Sequence, residues 1–234
     1  MPISAYIAAS SVTLIAIIIL RLISPQLRLI DLPSGHKQHV GAVPIVGGIA
    51  MYLGLAVGIY NVPSLWHTYT SLMLGSGFLL FVGVIDDIHP LSAKPKFIAQ
   101  FIAAMLMIKQ GVILHDLGHL MFHGKLVLNY FEIPVTIFAT IGIINAINML
   151  DGIDGLAGGI TLTILISLSI LAMLNGSQPS LMILLLMVSV VVPFLFFNAG
   201  KKFPKIFMGN GGSMFLGYTL VWFLISFSQG EDRL

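Results

Sequence analysis

The chain has 234 residues, of which 57% are hydrophobic and 9% are charged, and its mean hydropathy is +1.01. A soluble domain carries about 25% charged residues, so this composition excludes an ordinary soluble protein and indicates a polytopic membrane protein. The sequence contains no cysteine, which excludes disulfides and thiolate metal sites, and its net charge of +2 gives no reason to expect a nucleic-acid partner.

Eight apolar runs are candidates for membrane-spanning helices, which need roughly 17–25 residues. In chain order they are Ile3–Ile23, Ala42–Tyr60, Tyr69–Ile85, Phe97–Ile108, Ile133–Leu150, Ile160–Leu174, Leu181–Phe197 and Phe207–Phe227. The runs are continuous rather than alternating, which argues against a β-barrel. The first run is too long for the core of a signal peptide, so we interpret it as a retained span. The sequence therefore predicts an all-α polytopic membrane protein, a bundle of about eight transmembrane helices in a single domain over residues 1–234.

The loops between these spans alternate between two sides of the membrane, and the basic residues are unevenly divided. One side receives eight of the eleven: Arg21, Arg28, Lys37, Lys94, Lys96, Lys201, Lys202 and Lys205. The positive-inside rule makes that side cytoplasmic and places the N-terminus outside. The same side also receives five aspartates at or near helix ends: Asp31, Asp86, Asp87, Asp151 and Asp154. Loop solvation does not require acids to gather on the basic side, so we expect them to converge on one site.

The segment Asn145–Gly159 carries the strongest polar signal beside a membrane span. Asn145, Asn148, Asp151 and Asp154 are spaced three residues apart, which places neighbours on one face of a helix. The glycines between them weaken a continuous helix and let backbone approach a ligand. Carboxylates and amides suit ribose hydroxyls, base N–H groups or Mg²⁺. The alternative is a polar helix end with packing glycines, which we disfavour for four polar residues in register.

A second polar segment is the pair Asp86 and Asp87, followed by Lys94 and Lys96. Carboxylates with nearby lysines provide what a magnesium–phosphate site needs, since oxygens bind the ion and cations bind phosphate. Adjacent residues on a helix point about 100° apart, so the two aspartates need not share one ligand. A helix end whose acids simply pair with interfacial lysines is an equally good interpretation.

Two loops add candidate phosphate ligands. Lys37, His36 and His39 in the first loop would meet phosphate, although topology determinants in a turn explain them equally well. Gly209 and Gly211, with the glycine that follows, would present backbone N–H groups to a pyrophosphate, and a glycine-rich packing interface is the alternative. His115 and His119 lie four residues apart, but the sequence shows no acid in register with them, so we do not predict a metal there.

Taken in order, these segments resemble the polyprenyl-phosphate N-acetylhexosamine-1-phosphate transferase family. The first loop of that family reads D-x-P-x-x-R-K-x-H and then P-x-x-G-G, similar to residues 31–48 with His36 in place of the arginine. Its N-x-x-N-x-x-D-G-x-D-G-L-A motif matches Asn145–Ala157, and its Asp-Asp pair resembles Asp86 and Asp87. Its F-M-G-D-x-G-S motif is similar to Phe207–Ser213, except that Asn210 replaces the aspartate. The sequence around Pro44 is most similar to the undecaprenyl-phosphate N-acetylglucosamine-1-phosphate transferase branch.

The resemblance implies transfer of phospho-N-acetylhexosamine from a UDP-sugar to a polyprenyl phosphate, with release of UMP. This would be the first membrane step of cell-surface polysaccharide synthesis, such as O-antigen, in a bacterial inner membrane. The implied cofactor is Mg²⁺, with Mn²⁺ as an alternative. The implied partners are the UDP-N-acetylhexosamine, the polyprenyl phosphate lipid and the membrane, and a homodimer is left open as the oligomeric state.

The resemblance also implies residue roles. Asp86 would act on the acceptor phosphate, Asp87 would be catalytic and hold the metal region, and Lys94 and Lys96 would bind phosphates. The other implied substrate ligands are Lys37, His39, Asn145, Asn148, Asp151, Asp154, Gly209, Gly211 and Ser213, and the implied metal ligands are Asp87, Asp151 and Asn210.

Two departures from the family pattern leave alternatives open. Asn210 brings an amide oxygen without charge, which lowers the expected affinity for the ion. Family members have ten or eleven spans, so we expect this chain to lack the C-terminal ones. One alternative is therefore a truncated, catalytically impaired member that binds lipid or nucleotide without turnover. A small transporter is another, but its acids would line a path rather than gather at one face.

Overall fold

The computed structural model describes residues 2–32, 41–119, 124–200, 203 and 205–229. These residues form eight α-helices and two pairs of short antiparallel strands. The helices are α1 (Ile3–Ile23), α2 (Gly47–Tyr60), α3 (Pro63–Ile88), α4 (Ala93–Lys109), α5 (Glu132–Leu150), α6 (Leu156–Leu174), α7 (Gln178–Asn198) and α8 (Gly209–Gln229). The strands are β1 (Ile30–Asp31) with β2 (Val43–Pro44), and β3 (Asp116–His119) with β4 (Lys125–Val127). The predicted all-α membrane fold is confirmed.

Six of the helices are long and apolar enough to cross a membrane, namely α1, α3, α5, α6, α7 and α8. Helix α2 is apolar but has only 14 residues, and α4 has 17 residues with lysines near both ends. At 1.5 Å per residue these two measure about 21 and 26 Å, less than the roughly 30 Å of the hydrocarbon core. The chain is a multi-pass membrane protein in which two of the predicted spans are short helices.

Two helices begin later than their apolar runs predict, and pairing of the preceding backbone explains both. Residues 43–45 pair with Ile30, Asp31 and Phe207, so α2 cannot include them. Helix α8 begins at Gly209, whose φ of +77° turns the chain out of that pairing. Strand pairs of two residues leave no periodic signal in the sequence, which is why the apolar runs hide them.

Helix α8 is the centre of the bundle and is buried along almost its whole length. It packs against α2, α3 and α5. A Cβ added to Gly83 of α3 would lie 2.3 Å from the Cα of Gly211, and one added to Gly48 of α2 would lie 2.3 Å from the Cα of Gly212. Because only glycines allow so close an approach, the backbones of α2 and α3 enclose the first turn of α8.

The opposite end of the bundle is closed by the β3–β4 hairpin, which docks on the end of α8. The Gln229 side-chain oxygen accepts hydrogen bonds from the backbone N–H groups of His115 and Asp116, both at 3.1 Å. His115 Nδ1 lies 3.1 Å from a carboxylate oxygen of Glu132. The sequence shows no acid in register with His115, but Glu132, at the start of α5, lies beside it in the fold. The side chain of His119 lies outside the described part of the structure.

Candidate functional site

Three of the polar segments predicted to form one site, those around Asp87, Asn148 and Asn210, meet at one end of the bundle. This end collects the C-terminal ends of α3, α5 and α7 and the N-terminal ends of α4, α6 and α8. Side-chain hydrogen bonds join them in pairs: α3 with α4, α5 with α8, and the turn before α6 with α7. The structure thus brings distant stretches of the sequence to the first turn of α8.

Asp87 of α3 caps the N-terminus of α8. One of its carboxylate oxygens accepts the backbone N–H of Asn210 at 2.9 Å, and the other accepts that of Gly211 at 3.2 Å. The first N–H groups of a helix have no partner within the helix and form the positive end of its dipole, so a carboxylate is favourable there. A Cβ at Gly209 would lie 2.6 Å from an oxygen of Asp87, which leaves room only for glycine.

Asp151 reaches the same helix end from α5. It lies just beyond the end of α5 and accepts a hydrogen bond from the backbone N–H of Gly209. Burial, together with the charges of Asp87 and Asp154, raises the pKa of the Asp151 carboxyl from its ordinary 3.8 to about 7, and the Gly209 N–H partly opposes this shift. The carboxylates of Asp87, Asp151 and Asp154 therefore lie close together, and the surrounding N–H donors do not fully offset their negative charge. The N–H groups of Gly209 and Gly211, two of the three predicted to face a pyrophosphate, donate to Asp151 and Asp87 in this structure.

An amide network fixes Asn210 between these groups. The Asn148 side-chain nitrogen donates to the Oδ1 of Asn210 at 3.0 Å and to the Ser213 hydroxyl at 2.7 Å. The Ser213 hydroxyl in turn donates to the backbone carbonyl of Asn210 at 3.1 Å, and Ser213 is fully buried. The side-chain oxygen of Asn210 is thereby oriented by α5, while its backbone N–H is held by Asp87.

The donor set of this region fits a divalent cation. Asp87, Asp151 and Asn210 offer carboxylate and amide oxygens, the ligand types that Mg²⁺ prefers. The pKa of Asp151 is raised by burial first and by the charges of Asp87 and Asp154 second, and a bound cation would stabilise the charged form of this carboxylate. Within the described ranges, no three His, Cys, Asp or Glu residues are placed to hold an ion together. A bound ion would therefore take its remaining ligands from Asn210, water and substrate oxygens, as Mg²⁺ commonly does.

Asp86 points away from Asp87 and forms an ion pair with α4. Its side chain is 3% exposed, with one oxygen 3.0 Å from Lys96 Nζ and the other accepting the backbone N–H of Leu91 at 2.6 Å. The Lys96 side chain keeps 30% exposure, and Lys94 in the same helical turn is exposed. Of the two sequence interpretations, the helix end with acid–lysine pairing describes Asp86, whereas Asp87 belongs to the α8 site.

The turn between α5 and α6 is tied to the segment after α7 by two contacts. Lys205 Nζ lies 2.5 Å from Asp154 and 5.1 Å from the centre of the Phe207 ring. Asn198 is buried; its oxygen accepts the N–H of Gly155 at 2.7 Å and its nitrogen donates to the carbonyl of Ile206 at 3.0 Å. The sequence does not single out Asn198, because a lone asparagine at the end of an apolar run gives no sign of its partners.

Asn145 lies one helical turn away from the α8 contacts of Asn148. Its side-chain nitrogen donates to the Oε1 of Gln100 on α4 at 2.7 Å. The four polar residues predicted to share a face are thus divided between three partners: Gln100 for Asn145, α8 for Asn148 and Asp151, and Lys205 for Asp154. The predicted phosphate ligands Lys37 and His39 lie outside the described residues.

Comparison with known proteins identifies the family of the chain. A family model described as Glycosyl transferase family 4 matches residues 69–228, well over half of the chain. The chain is similar to undecaprenyl-phosphate alpha-N-acetylglucosaminyl 1-phosphate transferases of several bacteria. It is 32% identical to that of Yersinia pestis over 214 residues, covering 90% of this chain and 59% of the relative.

Two further relatives of the same name give the same result. Identity to the Escherichia coli K12 protein is 31% over 217 residues, covering 91% of this chain and 59% of the relative. Identity to the Salmonella typhi protein is 32% over 225 residues, covering 94% and 61%. The chain therefore spans about three fifths of the length of these curated relatives. The family match runs from within α3 to near the end of α8, and on this match the chain belongs to glycosyl transferase family 4.

Proposed function

We propose that the chain transfers N-acetylglucosamine 1-phosphate from UDP-N-acetylglucosamine to undecaprenyl phosphate. An oxygen of the lipid phosphate attacks the β-phosphorus of the donor, and the bond from that phosphorus to the bridging oxygen of the α-phosphate breaks. The products are the pyrophosphate-linked lipid sugar and UMP, which carries away the bridging oxygen. The lipid phosphate has a second pKa near 6 and is largely dianionic at neutral pH, so the attack needs little help from a base.

The observation that carries the proposal is the gathering of carboxylates around the first turn of α8. Asp87 and Asp151 both accept N–H groups there, and the carboxyl of Asp151 has a pKa of about 7 because it is buried beside other acids. Such a site suits a cation and the phosphates that the cation attracts. The names of the relatives favour a sugar phosphate as the group transferred.

Asp87, Asp151 and Asn210 would hold Mg²⁺, with Mn²⁺ as a substitute. When bound, the ion supplies charge neutralisation of the pyrophosphate and polarises the phosphoryl group under attack. The protein contributes the orientation of these ligands: α8 backbone N–H groups fix Asp87, and Asn148 fixes the Asn210 amide. A site preorganised in this way loses little free energy to rearrangement during the reaction.

Lys96 would bind the acceptor phosphate, held in place by Asp86. The ammonium has three donors, of which the Asp86 ion pair uses one, and the side chain keeps 30% exposure. Lys94 adds an exposed positive charge in the same turn. A direct role of Asp86 on the acceptor phosphate stays a prediction; it requires the phosphate to replace Lys96 or Leu91 as a partner of the carboxylate.

Asp154 and Asn148 would contact the nucleotide beside the turn between α5 and α6. Asp154 is exposed, and its ion pair with Lys205 lies at the surface. Exposed ion pairs contribute only about 0–1 kcal/mol, so a nucleotide can displace this one at little cost. A ribose hydroxyl would then donate to the Asp154 carboxylate, and a phosphate would accept hydrogen bonds from Lys205.

The direct test is transferase activity of the chain in membranes or nanodiscs. With sugar-labelled UDP-N-acetylglucosamine, undecaprenyl phosphate and Mg²⁺, we expect a labelled lipid and an equal amount of UMP, both abolished by EDTA. Asn210→Asp adds a third carboxylate beside Asp87 and should lower the Mg²⁺ concentration for half-maximal rate at least tenfold, since a unit charge at about 4 Å contributes on the order of 4 kcal/mol at an effective dielectric of 20. No product from either form would refute transfer by this chain and favour binding without turnover.

The active site is proposed to face the cytoplasm, with the N-terminus outside. Among the described basic residues, Arg21, Arg28, Lys94, Lys96 and Lys205 lie at the α8 N-terminal end, whereas Lys109 and Lys125 lie at the other. Because the chain has no cysteine, a thiol reagent labels only a cysteine introduced by substitution, and the labelling shows on which side of the membrane that residue lies. In intact cells, an impermeant maleimide should label Lys125→Cys and leave Lys94→Cys unlabelled until the cells are opened. The reverse pattern would invert the topology.

A further inference from the structure

Two side-chain amides meet inside the bundle, one turn away from the proposed site. Asn145 Nδ2 donates to the Oε1 of Gln100 at 2.7 Å and to the backbone carbonyl of Ile141 at 2.7 Å. Gln100 Nε2 lies 3.5 Å from Asn145 Oδ1, at the limit of a returning hydrogen bond. Gln100 is 1% exposed. These are the polar partners of Asn145 in the described structure, and none belongs to the α8 turn.

The place of this pair in the two helices gives it a consequence for the site. Gln100 lies four residues after Lys96 on α4, and Asn145 lies three residues before Asn148 on α5. Residues at these spacings lie above one another on one helix face. The hydrogen bond between Gln100 and Asn145 therefore fixes the position of Lys96 relative to Asn148 along the helix axes. Lys96 pairs with Asp86, and Asn148 donates to Asn210.

The energetics favour a specific rather than an incidental contact. Gln100 is buried and Asn145 is half-buried, and the residues beside each of them in sequence are mainly apolar. Water is therefore a poor replacement for a lost partner. Removing one of two buried partners leaves the other with its desolvation penalty, whereas removing both together is far less harmful. The hydrogen bond between Gln100 and Asn145 therefore fixes α4 and α5 relative to each other, because a shift of either helix along its axis would break it.

We infer that Gln100 and Asn145 form an interhelical bridge that positions Lys96 and Asn148, and that Asn145 supports the reaction through Gln100 instead of contacting substrate. Asn145 is a positioning residue in this account, not a ligand of the nucleotide. The kinetic consequence rests on the proposed function, while the bridge itself does not.

The test uses near-isosteric apolar replacements in the full chain in nanodiscs. Gln100→Met and Asn145→Leu should each lower kcat about tenfold to a hundredfold, the loss typical of misplaced catalytic groups, and should change KM for the donor less than kcat. The double variant should be no slower than the slower single one. The exchanged pair Gln100→Asn with Asn145→Gln should recover part of the rate, because it restores an amide on each helix.

Asn61→Leu is the matched control. Asn61 is exposed at the end of α2 and, like Asn145, donates its side-chain amide to a carbonyl four residues earlier, at 2.8 Å. The same chemical change there should leave the kinetics unaltered. Wild-type kinetics for Gln100→Met together with a raised KM for Asn145→Leu would overturn the inference, because Asn145 would then act on the donor without Gln100.

Thermal unfolding separates the bridge from the proposed function. Each single replacement should lower Tm, and the double replacement should lower it by clearly less than the sum of the two, because no orphaned amide remains. Tm losses that simply add would overturn the bridge even if the enzyme is active. Conversely, a chain without any transferase activity refutes the proposed function, and the Tm values still decide whether the two amides are coupled.

Discussion

Asp151→Asn is expected to reduce transfer by at least about a hundredfold and, without divalent cations, to raise the melting temperature at pH 8. The loss follows from removing one of the two carboxylates that would hold the ion, since electrostatic groups of this kind contribute factors of about 10²–10³. The gain in stability follows from the carboxyl itself, which is buried beside Asp87 and Asp154 and has a pKa of about 7.

The sign of the pH dependence is fixed by that pKa. The carboxyl binds its proton more tightly in the folded protein than at its ordinary value of 3.8, so the free energy of unfolding falls as pH rises from about 4 through about 7. An asparagine does not titrate, and the variant should therefore match the parent at pH 4 and exceed it at pH 8. With allowance for solvent screening, we expect a difference of about 1–2 kcal/mol at pH 8.

Melting curves at pH 4, 6 and 8, with EDTA or Mg²⁺, measure this directly. Mg²⁺ should raise the Tm of the parent at pH 8 more than that of Asp151→Asn, because binding to the folded state adds stability. Glu132→Gln is the control, since it removes one carboxylate at the opposite end of the bundle, where Glu132 pairs with His115. If Asp151→Asn instead melts lower than the parent at pH 8 in EDTA, the crowding of carboxylates around α8 is not as described.

The second large effect is expected from Gly83→Ala, which should both destabilise the protein and abolish transfer. The new Cβ would lie 2.3 Å from the Cα of Gly211 and 2.4 Å from its nitrogen, and backbone cannot move aside as a side chain does. Overpacking of this kind costs about 1–3 kcal/mol or more. Because Asp87 follows Gly83 by one helical turn, pushing α3 away from α8 also withdraws Asp87 from the N–H groups of Asn210 and Gly211.

Gly142→Ala is the matched control for this change. Gly142 lies within α5, and a Cβ there meets nothing within 4 Å. Alanine is the better helix former by roughly 0.5–1 kcal/mol, so this variant should melt at or above the parent temperature and retain activity. Equal Tm values for Gly83→Ala and the parent would contradict the close contact of α3 with α8.

The broad architecture could be predicted from the sequence because it depends on long apolar runs. About eight transmembrane helices were expected; the described residues form eight helices, of which six are long enough to span a membrane. The described polar segments around Asp87, Asn148 and Asn210 lie together at one set of helix ends. Positions such as Asp151 stand out because a charge beside a membrane span is costly and needs a partner. These signals are local in the sequence, so no knowledge of packing is needed to see them.

The partner of each side chain within the site could not be predicted in the same way. Asp86 and Asp87 are neighbours with identical side chains, and the packing of α3 on α8 brings Asp87 to the α8 N–H groups while Asp86 pairs with Lys96. Gln100 is a single amide in an apolar run, and its partner lies on another helix 45 residues away. Contacts between distant helices depend on tertiary packing, which leaves no pattern in a single sequence.

The position of the phosphorus label in the products tests the central claim most directly. The chain should be incubated in nanodiscs with undecaprenyl phosphate, Mg²⁺ and UDP-N-acetylglucosamine carrying ³²P in either its α- or its β-phosphate. Transfer of the sugar 1-phosphate predicts that β-label enters the lipid and α-label leaves as UMP, and that Asp151→Asn reduces both at least about a hundredfold. Recovery of the β-label in UDP, with unlabelled sugar on the lipid, would contradict the proposed reaction.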